Sequence, residues 1–166
     1  MKAVVQRVVN ARVTVGDAVV GSIGAGLLVY LGVAGEDTEK DAEWMAEKVV
    51  NLRIFVDSQE CMNLSLLDIL KQGGVVDSGS AAILTISQFT LLGDALKGRR
   101  PYFGEAAGPE KAKFLYEYFV RLIKTKGLVS ETGVFRAHMD VTYTNDGPVT
   151  IILNSRDAIP SGLSHE

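Results

Sequence analysis

The chain has 166 residues, a formal net charge of −3, 47% hydrophobic residues and 22% charged residues. That balance fits one globular domain with a sizeable core and excludes a disordered or collagen-like chain. A single cysteine, Cys61, excludes an intrachain disulfide framework and fits a reducing compartment, while negative charge announces no polyanion partner.

No apolar run reaches membrane-spanning length, and the first strand-like segment begins at Ala3, so neither a membrane anchor nor a signal peptide is expected and the setting read from the sequence is the cytoplasm. Residues 3–9 are rich in β-branched side chains and predict a mostly buried strand, with Arg7 as its odd member, expected at an edge or paired with an acid. Residues 11–15 and 18–20 flank Gly16-Asp17, a two-residue hairpin turn. The glycines between 21 and 26 match neither a phosphate-binding loop nor a dinucleotide fingerprint and are read as turns. Residues 27–33 form a continuous apolar run of the central-strand type.

The first helix follows, capped by Asp37 or Thr38, with Ala42, Met45, Ala46, Val49 and Val50 in one apolar stripe. Residues 53–56 predict a short strand, 57–64 a turn-rich stretch, and 65–80 an ambiguous excursion marked by Gly73-Gly74 and Ser78-Gly79-Ser80. Residues 81–86 return as a strand that runs into Ser87-Gln88-Phe89-Thr90-Leu91. Residues 92–108 are loop, and Pro109 opens a second helix whose apolar face is Phe114, Leu115, Tyr118, Phe119, Leu122 and Ile123, closed by Gly127. Residues 135–140 lead into a final hairpin. Its strands, 140–144 and 151–153, flank Asn145-Asp146-Gly147-Pro148-Val149-Thr150, which reads first as a turn. Pro148 after Gly147 adds a second possibility, a rigid segment that aims backbone carbonyls at a ligand. Residues 155–166 form a loosely held tail. The class is α+β: a curled, mainly antiparallel β-sheet or barrel with two main helices packed outside, one domain over residues 1–154.

Groups able to do chemistry are few. His138 and His165 lack the spacing partners of a zinc site, Cys61 has no base beside it, and Ser87 lacks a nucleophile elbow. No metal or cofactor is expected. Ser87, Gln88 and Thr90 alternate with Phe89 and would present hydroxyls and an amide on one side, or serve as simple strand-end capping. A hydrolase built from such groups works by positioning and polarisation.

The two stretches 87–91 and 145–150 resemble the signature motifs of the D-aminoacyl-tRNA deacylase (D-Tyr-tRNA(Tyr) deacylase) family. Gln6-Arg7-Val8, Met62-Asn63-Leu64, Arg100-Pro101 with Phe103, and Phe135, Ala137 and Met139 support the match, which runs from Met1 to about Asn154. The excursion before Ser80 is longer than the common bacterial pattern, and the tail is extra. The resemblance implies a homodimer with its active site at the subunit interface. It implies a cis Gly147-Pro148 bond whose carbonyls enter the partner's pocket and engage the substrate's amino group, held by Arg7, Asn145 and Asp146. It places the 3′-terminal adenosine of D-aminoacyl-tRNA near Phe89, Phe135, Ala137 and Met139. Ser87, Gln88 and Thr90 then shape the pocket and position water, with activation by the ribose 2′-OH ranked above Thr90 as nucleophile. Glycyl-tRNA, having no side chain to exclude, would also be cleared. The rival reading is a non-catalytic nucleic-acid-associated module with Arg99, Arg100, Lys111, Lys113, Lys124 and Lys126 as its phosphate patch.

Overall fold

The structure is a computed structural model that describes residues 1–73, 75–76 and 79–158. The sequence readings on Gly74, Ser78, His165 and the tail from 159 onward lie outside the described residues. Strands β1 (Lys2–Val15), β2 (Ala18–Ile23) and β3 (Gly26–Gly32) come first, then helix α1 (Glu39–Asn51). β4 (Phe55–Val56) pairs with β5 (Met62–Leu64); α2 (Leu66–Lys71) follows, then β6 (Val75–Val76) paired with β7 (Gly79–Ser80). β8 (Ala82–Ser87), α3 (Pro109–Thr125), β9 (Val129–Thr132) and β10 (Asp140–Asn154) complete the chain.

The main sheet has six strands in the order β10-β1-β3-β8-β9, with β2 also paired to β1. β1 runs antiparallel to β10, β2 and β3, in line with the sequence pattern, but β3–β8 and β8–β9 are parallel. The sheet is therefore mixed. Its parallel half follows from connectivity, since the chain passes through helices before each of those strands and so returns in the same direction. The curl nearly closes where β2 meets β9: a Cβ on Gly21 would lie 2.5 Å from the Thr132 carbonyl oxygen. Gly21 thus lies inside a strand rather than a turn, and only a hydrogen fits there.

Two cores result. Ala3, Val5, Leu27, Val29, Leu31 and Ile83 turn one face of the sheet toward α1 and α3. Val8, Ala11, Val13, Ile23, Leu28, Leu84 and Ile86 fill the inside of the curl. β3 is buried on both faces, which is why its run of apolar residues shows no alternation. On β1 the alternation changes phase. A register shift between Val8 and Asn10 inserts one residue, so that Ala11 and Val13 return to the face that Val8 occupies.

The stripe read on α1 is buried as a unit, and Thr38 is its N-cap, its backbone N–H donating to Asp41 at 2.8 Å. Asp37 instead anchors the start of the chain. Buried, it accepts from the Ala34 N–H and from the Met1 ammonium at 2.7 Å. The face of α3 is turned slightly from the one expected. Tyr116 and Val120 are buried with Leu115, Phe119 and Ile123, while Phe114 is exposed. Phe119 has no accessible surface, so Phe119→Ala is expected to cost about 3–5 kcal/mol in denaturant unfolding, through lost burial and the cavity left behind.

Two expectations fail here. Residues 140–154 form no hairpin but one strand, β10, paired with β1 on both sides of a bulge, over 140–145 and 150–154. The first residues of the tail are not loose: Ser155 is buried, its N–H donates to the Met1 carbonyl at 2.9 Å and its hydroxyl to Asp41 at 2.6 Å.

Candidate active site

β10 keeps its direction through the Asn-Asp-Gly-Pro stretch because that stretch is a bulge. Gln6 pairs with Thr150 and Val8 with Asn145, so β1 advances two residues while β10 advances five. The extra length loops out of the sheet edge and carries Gly147 and Pro148, both exposed, joined by a cis peptide bond. Three side chains hold it. The Asn145 amide donates across the base of the bulge to the Val149 carbonyl at 3.0 Å and to the Arg7 carbonyl at 3.2 Å. Gln6 donates to the Thr150 hydroxyl at 3.1 Å. Arg7 lies beneath, 8% exposed, with Nε 2.7 Å from Asp146 Oδ2.

That Arg7–Asp146 contact is an ion pair rather than an aligned hydrogen bond, because Nε lacks hydrogen-bond geometry to any acceptor. The carbonyl that Arg7 does bond is that of Ile54, outside the bulge. Arg7 therefore links the bulge to the segment after α1 and is paired with an acid, one of the two placements expected for it. Gly147 has φ +115°, and a Cβ there would lie 2.8 Å from Val149 Cγ2 and 3.0 Å from Arg7 Nη2. Only glycine fits both the conformation and the space.

The second motif sits elsewhere. β8 ends at Ser87, and Phe89–Leu92 is a 3₁₀-helix, so the strand alternation expected across Ser87-Gln88-Phe89-Thr90 does not exist. The Gln88 N–H donates to the Leu31 carbonyl at 2.8 Å, which fixes the chain as it leaves the sheet. The Gln88 side-chain amide donates to the Thr90 hydroxyl. Ser87, Gln88 and Phe89 line a cleft of about 450 Å³ together with Phe135, Ala137 and Met139. Leu31, Val33 and Ile86 form its floor, and Ala107, Pro109, Ala112 and Tyr116 its wall. Thr90 is exposed and outside this lining, as are Gly147 and Pro148. One chain thus gathers six of the predicted site residues and leaves the bulge outside the lining of its own cleft.

The wall contributed by α3 escaped sequence reasoning. Pro109, Ala112 and Tyr116 are spaced three and four apart on one helix face, yet periodicity reports burial and not the cavity a face borders. Tyr116 donates its hydroxyl to the Thr85 carbonyl at 2.8 Å, and its ring centroid lies 6.0 Å from that of Phe135. Burial, with Glu117 nearby, pushes the Tyr116 phenol above its ordinary value, so it stays protonated and acts as a wall rather than a base. Phe89, exposed, meets Phe103 edge-on at 5.1 Å.

The cleft is an aromatic-edged slot with a hydroxyl and an amide at one end and no carboxylate among the described residues of its lining. Such a slot suits a flat heteroaromatic ring. His138 stands at the rim, almost fully exposed and 4.0 Å from Asp140. Cys61 is exposed, its thiol directed at the Gln59 carbonyl. Among the described residues no group of three His, Cys, Asp or Glu is placed to hold a metal ion, and no helix is long and apolar enough to cross a membrane. Three of the six cations of the rival patch are engaged within the chain. Lys126 pairs with Glu47, Lys113 with Glu117 at 3.8 Å, and Lys111 donates to the Gly35 carbonyl.

Known proteins resemble the chain over nearly its whole length. The family model described as D-Tyr-tRNA(Tyr) deacylase matches residues 4–154. A D-aminoacyl-tRNA deacylase of Thermotoga petrophila is 54% identical over 93% of this chain and 97% of its own. One from Thermus aquaticus is 52% identical over 95% and 97%. A solved structure titled c-Myc DNA Unwinding Element Binding Protein superposes with a TM-score of 0.81 at 42% identity, over 93% of this chain and 98% of that one. A probable eukaryotic D-amino acid tRNA deacylase shares the fold, with a TM-score of 0.74 at 17% identity over 92% and 97%.

Proposed function

The chain belongs to the D-Tyr-tRNA(Tyr) deacylase family, and on that premise we infer that it is a D-aminoacyl-tRNA deacylase, an ester hydrolase. It cleaves the bond between a D-amino acid and the 3′-terminal ribose of tRNA, releasing both, and so removes wrong-handed residues before translation uses them.

The observation that carries the finer reading is the exposed Gly147-Pro148 bulge on an open sheet edge, outside the cleft of its own chain. Two copies of the chain form a homodimer in which each bulge enters the other's cleft. The terminal adenine stacks between Phe89 and Phe135, with Ala137 and Met139 beneath, and the aminoacyl ester reaches Ser87 and Gln88. The partner's Gly147 and Pro148 carbonyls accept from the substrate's ammonium. With the amino group and ester fixed, the side chain of an L-amino acid is directed into those backbone atoms and that of a D-amino acid away from them. Rejection by backbone is indifferent to side-chain identity, so many D-amino acids are accepted, and glycine on tRNA is accepted too. The setting is the cytoplasm, where aminoacyl-tRNA is made. The test is a pair of rates: D-Tyr-tRNA should lose its ester while L-Tyr-tRNA keeps it, with sedimentation reporting a dimer. The structural likeness to a DNA-unwinding-element binding protein favours a second reading, a nucleic-acid-binding module. Binding of tRNA with the D-ester left intact would support that one.

Hydrolysis needs an activated water, and the described residues of the cleft offer no carboxylate to make one. The substrate's own 2′-OH lies next to the ester and is the better candidate, since Thr90 is outside the cleft and already accepts from Gln88. Thr90→Ala is therefore expected to retain D-Tyr-tRNA hydrolysis within about tenfold, whereas a 2′-deoxy terminal adenosine should lose about 100-fold or more. A dead Thr90→Ala, an unaffected deoxy substrate, or an acyl-enzyme trapped on Thr90 reverses the assignment.

A further inference from the structure

We propose that Arg136, at the rim of the cleft, binds the 5′-phosphate of the terminal nucleotide. Arg136 has φ +66°, one of two non-glycine residues with positive φ among those described. It is the third residue of a four-residue turn closed by the Ala137 N–H donating to the Val134 carbonyl at 3.2 Å. Glycine or asparagine serves that position with least strain. The turn places an exposed arginine on the cleft's lining, next to Phe135. Among the described residues no carboxylate pairs with it, no hydrogen bond occupies it, and the lining holds no acid to neutralise it. A cation held in an unfavourable backbone conformation at a pocket mouth, with its fork unused, has the form of a binding device.

The ligand chemistry follows from the Proposed function, on which this inference rests. A base stacked on Phe89 and Phe135 and a ribose directed to Ser87 leave the 5′-phosphate as the group that must exit. A phosphodiester carries a full negative charge and stays hydrated at the mouth rather than inside an apolar slot. The guanidinium fork matches two phosphate oxygens at once.

Arg136→Gly is the discriminating variant because it relieves the backbone rather than straining it. Two measurements go together: affinities for adenosine 5′-monophosphate and adenosine, and KM values for 3′-O-D-tyrosyl-adenosine with and without a 5′-phosphate. The wild type should prefer the monophosphate by roughly tenfold, and Arg136→Gly should bring that preference below about twofold. KM on the phosphorylated ester should rise roughly tenfold, several times more than on the unphosphorylated one, with kcat changed little. Arg136→Lys should fall between, keeping charge without the fork. An equal change on both ligands, or no change on either, overturns the proposal. So does a variant that sediments as a weaker dimer with its phosphate preference intact, since Arg136 would then be a subunit contact. If the wild type hydrolyses neither ester yet keeps its phosphate preference, the deacylase reading fails and the Arg136 assignment stands.

Discussion

Gly147→Ala is expected to cut D-Tyr-tRNA hydrolysis by about 100-fold or more while the protein stays folded, because the bulge would lose the shape that presents its carbonyls. The backbone conformation, φ +115°, is one that L side chains rarely adopt. The added methyl would also meet Val149 at 2.8 Å and the Arg7 guanidinium at 3.0 Å. Neither neighbour yields freely: Val149 holds the Asn145 amide through its carbonyl, and Arg7 is buried. The bulge must therefore re-form, moving the carbonyls by about an ångström or more, which is enough to forfeit most of a positioning effect. Gly16→Ala is the control. Gly16 also has positive φ, +57°, at the β1–β2 turn with nothing within 4 Å, so its variant should lose roughly 1 kcal/mol of stability and none of the activity. Rates on D- and L-Tyr-tRNA, taken with circular dichroism and sedimentation, separate the two. A folded, dimeric Gly147→Ala with its D-rate intact would show that the bulge does not touch the substrate.

How much of this was legible beforehand depended on the kind of information each feature carries. The α1 stripe at 42, 45, 46, 49 and 50 was readable because burial and helical period coincide there. The central position of β3 was readable from its unbroken apolar run. The bulge was not. Asn, Asp, Gly and Pro between two strand-like runs have the composition of a hairpin turn, and only pairing with β1 on both sides reveals that the strand continues. The parallel half of the sheet was hidden for the same reason, since strand direction is a property of the partner and not of the segment. Ser87 and Gln88 were readable from their polar groups at a strand end, Phe89, Phe135, Ala137 and Met139 from resemblance, and the fold brings all six to one cleft. Alternation misplaced Thr90, because the chain turns into a 3₁₀-helix just after Gln88 fixes it to Leu31. The anchoring of Ser155 by Met1 and Asp41 joins the two ends of the described chain, a contact no local pattern encodes.

Arg7→Ala should be the most damaging single change in the support beneath the bulge, affecting stability and activity together. Its guanidinium serves three neighbours at once: the Ile54 carbonyl, the Asp146 carboxylate at 2.7 Å, and the space beside Gly147. Truncation leaves a carbonyl on buried Ile54 without a donor and Asp146 without its cation. A buried acceptor left unpaired costs about 1–3 kcal/mol. Asp146 is half exposed and adds less, so the total is expected near about 2–4 kcal/mol. Asp146→Asn isolates the smaller share. It keeps the shape and removes the charge, and should cost about 1 kcal/mol or less with a modest loss of rate. Arg7→Lys should resemble Arg7→Ala more than the wild type, because one ammonium cannot serve both Ile54 and Asp146 as a planar fork does. Combining Arg7→Ala with Asp146→Asn closes a double-mutant cycle, and a coupling of about 0.5 kcal/mol or more would assign the pair a measurable share of the bulge's rigidity. For activity the expectation is a drop of about 100-fold on D-Tyr-tRNA, measured below the variant's unfolding temperature and at concentrations where it sediments as a dimer. Should a folded Arg7→Ala keep its D-rate within about threefold, the bulge is rigid through Asn145 and the β1 pairing alone, and Arg7 belongs to the stability of the fold rather than to the site.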